Sequence, residues 1–239
     1  MLDISIVIPA FNEQEKIKTD IIAASRFLKD NHLQGEIIIV NDGSEDETAV
    51  SARETPVDEG VKKSVVSYAG NKGKGFAVKS GMVQSRGRYA MFADSGLCIP
   101  YNNALIGLDM IKKGGCVIAV GSRRHRQSRI KQHRHPLRKF LSVFFRNVTF
   151  SFLGIPRSFS DTQCGFKIYD GDIARELYGE CQTEGFLFDI EILARALKKN
   201  YAVCEFPVEW SSDPDTRVLP HKTALPVLFE LFKIKKMVR

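Results

Sequence analysis

The chain has 239 residues, 44% of them hydrophobic, and a formal net charge of +7. That suffices for the full core of one α/β domain, and no run reaches the roughly 20 consecutive apolar residues of a spanning helix or forms a secretory leader. Five scattered cysteines without a C-x-x-C pair exclude a zinc module and a disulfide framework, so a cytosolic protein with reduced thiols and an anionic partner is expected.

In chain order, the first 121 residues alternate apolar runs of strand length with helical patterns. The runs cover residues 4–8, 36–40, 64–68, 88–93 and 116–121. Several are apolar at consecutive positions, so both faces should be covered, as in a doubly wound, mostly parallel sheet between helices. Asn12 with Glu15, and Ser44 with Glu47, have the capping-box spacing and predict two helix starts. Ile17, Ile21, Ala24 and Leu28 would form the buried stripe of the first helix. Residues 9–13 and 41–44 then fall beyond the carboxyl ends of the strands, where open α/β sheets bind ligands.

Chemistry-bearing residues gather at those ends. Asp42, in Asn41-Asp42-Gly43-Ser44, either presents a carboxylate to a base or ribose or belongs to a simple Asp-Gly turn. Pro9 ends the first strand, and Glu13 is either a ligand at the same crevice or an ordinary first-turn acid. Asn71-Lys72-Gly73-Lys74-Gly75 precedes a helix and reads as a phosphate-cradling turn or a solvated basic loop; it lacks the Walker spacing. The fourth strand runs into Asp94, at a position suited to a divalent metal that bridges two phosphates.

After Gly121 comes a basic block without acids: Arg123, Arg124, Arg126, Arg129, Lys131, Arg134, Arg138 and Lys139. Acceptor-phosphate or membrane-surface binding is favoured, with a solvated loop as the alternative. Nucleic acid is disfavoured, because a phenylalanine-rich segment follows, over residues 137–155, rather than a nucleic-acid module. That segment reads as a buried helix or an interfacial one. Residues 221–239 read as a cationic amphipathic helix.

Together these motifs, with Asp161-Thr162-Gln163-Cys164-Gly165-Phe166-Lys167, the stretch from Glu184 to Glu191, and Pro207-Val208-Glu209-Trp210, resemble family 2 glycosyltransferases of the GT-A fold. Within that family the resemblance is to dolichyl-phosphate glucosyltransferases and related polyprenyl-phosphate hexosyltransferases, over about residues 4 to 220. It implies a GT-A domain over 1–220, with a nucleotide-binding half (1–121) and an acceptor half (122–220) containing the basic loop 122–139. Pro9, Ala10, Glu13, Asp42, Asn71 and Lys74 are then expected at the nucleotide-sugar, and Asp94, Asp161 and Gln163 at the reacting centre. Arg123, Arg124, Arg126, Arg129 and Lys131 are expected at the acceptor phosphate or membrane.

The reaction implied is inverting transfer of a hexose, glucose first, from a UDP-linked donor to a polyprenyl phosphate at the cytosolic membrane face. The alternatives are a soluble transferase with a glycan or protein acceptor, and a nucleotide-sugar-binding protein without turnover. Mg²⁺ or Mn²⁺ is the expected cofactor, but relatives read Asp-x-Asp where this chain reads Asp94-Ser95-Gly96. The position that supplies a further ligand in some relatives is Cys98. Oligomeric state is not legible.

Overall fold

The computed structural model describes residues 2–131, 149–211 and 224–238. Its first part alternates strands and helices: β1 (Ile4–Ala10), α1 (Ile17–Asp30), β2 (Gly35–Asn41), α2 (Thr48–Glu54), β3 (Lys62–Ser67), α3 (Lys74–Gln84), β4 (Tyr89–Ala93), α4 (Ala104–Lys112) and β5 (Ile118–Ser122). Then come β6 (Arg129–Ile130), β7 (Phe166–Asp170), α5 (Gly171–Glu180), α6 (Phe188–Lys198), β8 (Val203–Pro207), β9 (Glu209–Trp210) and α7 (Ala224–Met237).

The main sheet has the order β3-β2-β1-β4-β7-β5-β8. It is parallel except for β7, which runs antiparallel to β4 and β5. Consecutive apolar positions in the strands reflect two covered faces, because side chains alternate between them. In β1, Ile4, Ile6 and Ile8 enter a core shared with Ile17, Ile21, Ala24 and Leu28 of α1. Val7 enters the opposite core with Ile38, Val40 and helices α3, α5 and α6. After β3 the chain returns to place β4 on the other side of β1, which opens a crevice at the carboxyl ends of β1, β2 and β4.

The two capping boxes do not form. α1 starts at Ile17 and α2 at Thr48, and neither has a side-chain cap. The expected capping groups instead tie the two loops together across the crevice mouth. Ser44 Oγ accepts from the backbone N–H of Asn12 at 2.9 Å, and Asn12 Oδ1 accepts from that of Glu45 at 2.9 Å. Asn12 adopts a left-handed φ of 50°, a conformation that its short polar side chain tolerates. Tertiary pairing of the loops thus takes the groups that local spacing assigned to caps.

A third cluster joins Phe150 and Ile155 to Leu187, Ile190 and Leu193 of α6 and its entry, and to Leu231 and Ile234 of α7. Burial of each such aliphatic chain contributes about 1.5–3 kcal/mol, so α7 is a packed element. Its other face carries Phe229 and Phe232, 68% and 61% exposed, beside exposed Lys233 and Lys236. Residues 149–155 of the expected 137–155 helix are described, and Phe150 is buried among them. Residues 132–148, with the remainder of the basic block, lie outside the described residues. Among the described residues no helix is long and apolar enough to cross a membrane.

Candidate active site

The crevice is built outward from strand ends. Ala10 and Asn41 pair at the last rung of β1 and β2, and Asp42 N–H continues the ladder to Ala10 O at 2.8 Å. Asp42 is 3% exposed. Its Oδ1 accepts from Tyr68 Oη and from Lys72 N, each at 2.8 Å, and its Oδ2 from Gly73 N at 3.0 Å. Its carboxylate therefore shapes the turn at residues 71–75, assisted by Asn71 Nδ2 donating to Asp42 O at 3.3 Å. Glu13 stands at the same mouth, with Lys16 Nζ 3.7 Å from its carboxylate and its N–H donating to Thr48 Oγ1 at 2.7 Å.

The turn is gripped from its other side too. Gly73 has φ 103°, and a Cβ there would come within 2.5 Å of Glu184 O, which also accepts from Phe76 N at 3.1 Å. The loop at 183–186 is fixed in turn by Glu191, fully buried, whose carboxylate accepts from Gln182 N, Thr183 N and Arg195. This stacking delivers Lys74, the first residue of α3, to the crevice floor.

Three carboxylate–cation pairs meet there. Lys74 Nζ lies 2.7 Å from Asp94 Oδ1, just after β4. Arg123 grips Asp161 in a fork, Nε to Oδ2 at 2.6 Å and Nη2 to Oδ1 at 2.7 Å, and also donates to Gln163 O at 3.0 Å. Lys167 pairs with Asp189, both 4% exposed, and donates to Thr162 O at 3.0 Å. Burial opposes the charge on Lys74, yet the Asp94 and Asp189 carboxylates outweigh it and raise its pKa. Burial likewise opposes Arg123, but Asp161 raises it, while Asp161 itself is held at about 2 by Arg123 against its own desolvation. Burial pushes Asp189 up against the pull of Lys167 and Lys74. The Cys164 thiol, pushed up to about 12 by burial, is no thiolate nucleophile.

Asp20, on α1, was not among the expected site residues. It lies three residues after Ile17, on the apolar stripe, and is 1% exposed. Both its oxygens accept from Gly96 N, at 3.0 and 2.9 Å, and Oδ1 from Leu97 N at 3.0 Å. Gly96 and Leu97 both have left-handed φ, 92° and 47°, and the carboxylate holds that turn. Burial pushes Asp20 up to about 7, against the pull of those two N–H groups. An acid with a raised folded pKa weakens the fold as pH rises between its unfolded and folded values. The stability difference between the native protein and Asp20→Asn should therefore shift toward the Asn variant from pH 4 to pH 7, then level off; urea unfolding at stepped pH measures it.

Glu205 of β8 is a second unexpected participant, its Oε1 accepting from Ser160 N at 2.8 Å and Asp161 N at 2.9 Å. An acid between Cys204 and Phe206 in a short strand-like run was its sequence signal. Arg123 is separated from the rest of its basic block: it is committed to Asp161, whereas Arg126, Arg129 and Lys131 are exposed. Arg129 and Lys131 flank Glu209 at 3.6 and 3.9 Å, on the small β6–β9 sheet.

The donor set does not fit a resident divalent metal. Asp94 supplies one carboxylate, already on Lys74; Gly96 supplies none, and its N–H points to Asp20. Among the described residues no group of three His, Cys, Asp or Glu side chains could hold an ion. A hard cation at this position would take at most one carboxylate from the protein, and the rest of its oxygen shell would have to come from donor phosphates and water.

Residues 5–176 match the family described as Glycosyl transferase family 2. Among curated proteins, the dolichyl-phosphate beta-glucosyltransferase of Saccharomyces cerevisiae is 33% identical over 226 residues, covering 87% of this chain and 66% of that protein. The one from Drosophila melanogaster is 30% identical over 246 residues, covering 98% and 74%. The chain thus spans about two thirds to three quarters of these relatives' length. Among solved structures, glucosyl-3-phosphoglycerate synthase from Mycobacterium tuberculosis with Mn²⁺, UDP-glucose and phosphoglyceric acid superposes with a TM-score of 0.68 at 18% identity, covering 98% and 80%. Mannosyl-3-phosphoglycerate synthase from Rubrobacter xylanophilus gives 0.63 at 18% identity, covering 99% and 71%. The fold is therefore the GT-A glycosyltransferase fold.

Proposed function

The chain belongs to glycosyl transferase family 2, and on that premise we propose that it transfers a hexose, glucose first, from a nucleoside-diphosphate donor to a polyprenyl phosphate. One observation carries this reading: the turn at 71–75, held by Asp42 and the 183–185 loop, sets Lys74 against Asp94 at the strand ends. The relatives named above support the lipid phosphate as acceptor. The base of the donor would sit toward Pro9, Ala10 and Glu13, with its diphosphate toward Lys74.

In the transfer, an acceptor phosphate oxygen attacks the anomeric carbon as the bond from that carbon to the donor's β-phosphate oxygen breaks. Configuration inverts and a nucleoside diphosphate leaves. The acceptor is already anionic near neutral pH, so no strong general base is needed. The protein's task is to align the two partners and to stabilise charge on the leaving group. Asp161 and Gln163 position that centre through Arg123. Incubation with labelled UDP-glucose or GDP-mannose and a polyprenyl phosphate should yield an organic-extractable glycolipid; none from any common nucleotide-hexose would end the proposal.

Access to a lipid acceptor calls for a membrane surface, and two features support one. Exposed Arg126, Arg129 and Lys131 continue into the rest of the basic block, and α7 presents Phe229 and Phe232 beside Lys233 and Lys236. Basic residues near an anionic surface contribute about 1 kcal/mol each. Replacing Arg124, Arg126, Arg129 and Lys131 by Gln should therefore weaken sedimentation with phosphatidylserine vesicles by at least about tenfold and leave binding to neutral vesicles unchanged. Arg123 is left out of that variant, since its loss would disturb Asp161.

A further inference from the structure

We infer that Lys74, held by Asp94, is the cation that offsets the donor's diphosphate in this chain, so that donor binding needs no divalent metal. The inference rests on the nucleotide-sugar reading above and specifies how that site handles charge. Four observations lead to it. Asp94 is the single carboxylate at the end of β4, and the position two residues on is a glycine. That glycine is also turned away from a ligand role: its N–H is bonded to Asp20 and its φ is 92°, a conformation unfavourable for an aspartate. The Asp94 carboxylate already has an ammonium at 2.7 Å. Finally, Asp94 and Asp189 keep that ammonium charged despite its burial.

The charge count agrees. Two carboxylates and a divalent ion sum to zero, and so do one carboxylate and one lysine. A metal entering here would have to displace Lys74 from Asp94 or sit beside it, against direct repulsion and with one protein carboxylate to add to the donor's phosphate oxygens. An ammonium has three donors, of which Asp94 takes one. The remaining donors suit phosphate oxygens as charge-assisted bonds. Lys74 is also anchored from both sides, by the 71–73 turn on Asp42 and by the packing of Gly73 and Gly75 on residues 183–185, so the charge is placed before the donor arrives.

Calorimetric titration with UDP and with GDP, first in EDTA and then in excess Mn²⁺, tests the inference without relying on turnover. For the better-bound nucleotide, affinity should agree within about twofold between the two conditions. Lys74→Met should weaken that diphosphate by at least about tenfold, leave the matching nucleoside unaffected, and keep the native melting temperature. The same loss should persist in Lys74→Met/Asp94→Asn, which removes the unmasked carboxylate as a cause. Mn²⁺ tightening beyond about twofold in the native protein would overturn the inference and leave the nucleotide-sugar reading standing. So would a smaller loss in Lys74→Met, or its reversal in the double variant. Absence of binding by either diphosphate under both conditions would overturn both. The native protein's response to Mn²⁺ needs no variant to fold.

Discussion

Asp161→Asn is expected to destabilise the protein by about 3–5 kcal/mol, because it strands a buried guanidinium. Arg123 has a side chain only 20% exposed, and Asp161 one only 6% exposed. The fork between them leaves two of the guanidinium's nitrogens without a charged acceptor once the carboxylate becomes an amide. Glu205 cannot take over, since its oxygens already accept from Ser160 and from Asp161 N–H. Urea unfolding at pH 7 measures the loss, and the double variant Asp161→Asn/Arg123→Met should recover much of it, because no charge is then left buried alone. The pH profile supplies an independent check. Asp161 has a folded pKa depressed to about 2, so its contribution is present above the ordinary carboxylate range and is lost as pH falls through the folded value. The gap between native and Asp161→Asn proteins should thus be widest near neutrality and close on acidification. Transfer should fall as well, since the segment from Asp161 to Gly165 carries Gln163 O to Arg123 and runs under Asp94.

Much of the architecture was legible because it is written in short-range patterns. The stripe of α1 and the apolar runs of β1, β2, β4 and β5 follow from side-chain periodicity, and each lies where that periodicity put it. Two kinds of feature were not legible. The first is competition between local and tertiary partners: Asn12 and Ser44 have capping-box spacing, but each finds a partner across the loop pair, about 30 residues away in sequence. Spacing alone cannot rank those choices.

The second is the pairing of charges across the crevice. Arg123 with Asp161, Lys167 with Asp189 and Lys74 with Asp94 connect separate strands and helices. In the sequence Arg123 looks like the first residue of a basic run that meets an acceptor phosphate or a membrane, and its pairing with Asp161 inside the site was not legible. Asp42 was expected to present a carboxylate to the donor; the structure adds a second task, since that carboxylate also holds the turn that carries Lys74. Asp20 could have been found, because an aspartate on the same stripe as Ile17, Ile21 and Ala24 breaks the apolar face of a helix. A buried acid at such a position must have a partner, and here the partner is the turn that follows Asp94.

Gly165→Ala is expected to lower the transfer rate by about 100-fold while changing global stability little, because the single methyl displaces the Asp94 carboxylate. Gly165 sits directly beneath that group: a Cβ there would overlap Cγ and both oxygens of Asp94, and no other group is as close. The two residues are also joined through Asp94 N, which donates to Gly165 O at 2.9 Å, so the backbone cannot separate without loss of a bond between β4 and the 161–165 segment. Gly165 is not among the glycines with positive φ, so alanine meets no backbone strain and the effect falls on the neighbouring side chain. Asp94, 35% exposed, has room to swing toward solvent, which keeps the fold intact but takes the carboxylate away from Lys74. An ammonium without its anchor is free to wander by more than an ångström, and misplacement on that scale accounts for the rate loss. Steady-state kinetics and thermal unfolding separate the two effects. A cycle with Asp94→Ala tests the route: in that background the carboxylate is gone, so Gly165→Ala should have almost no further effect on rate. A full additional loss there would mean that Gly165 acts through the backbone of the 161–165 segment, and that the contact with Asp94 is incidental.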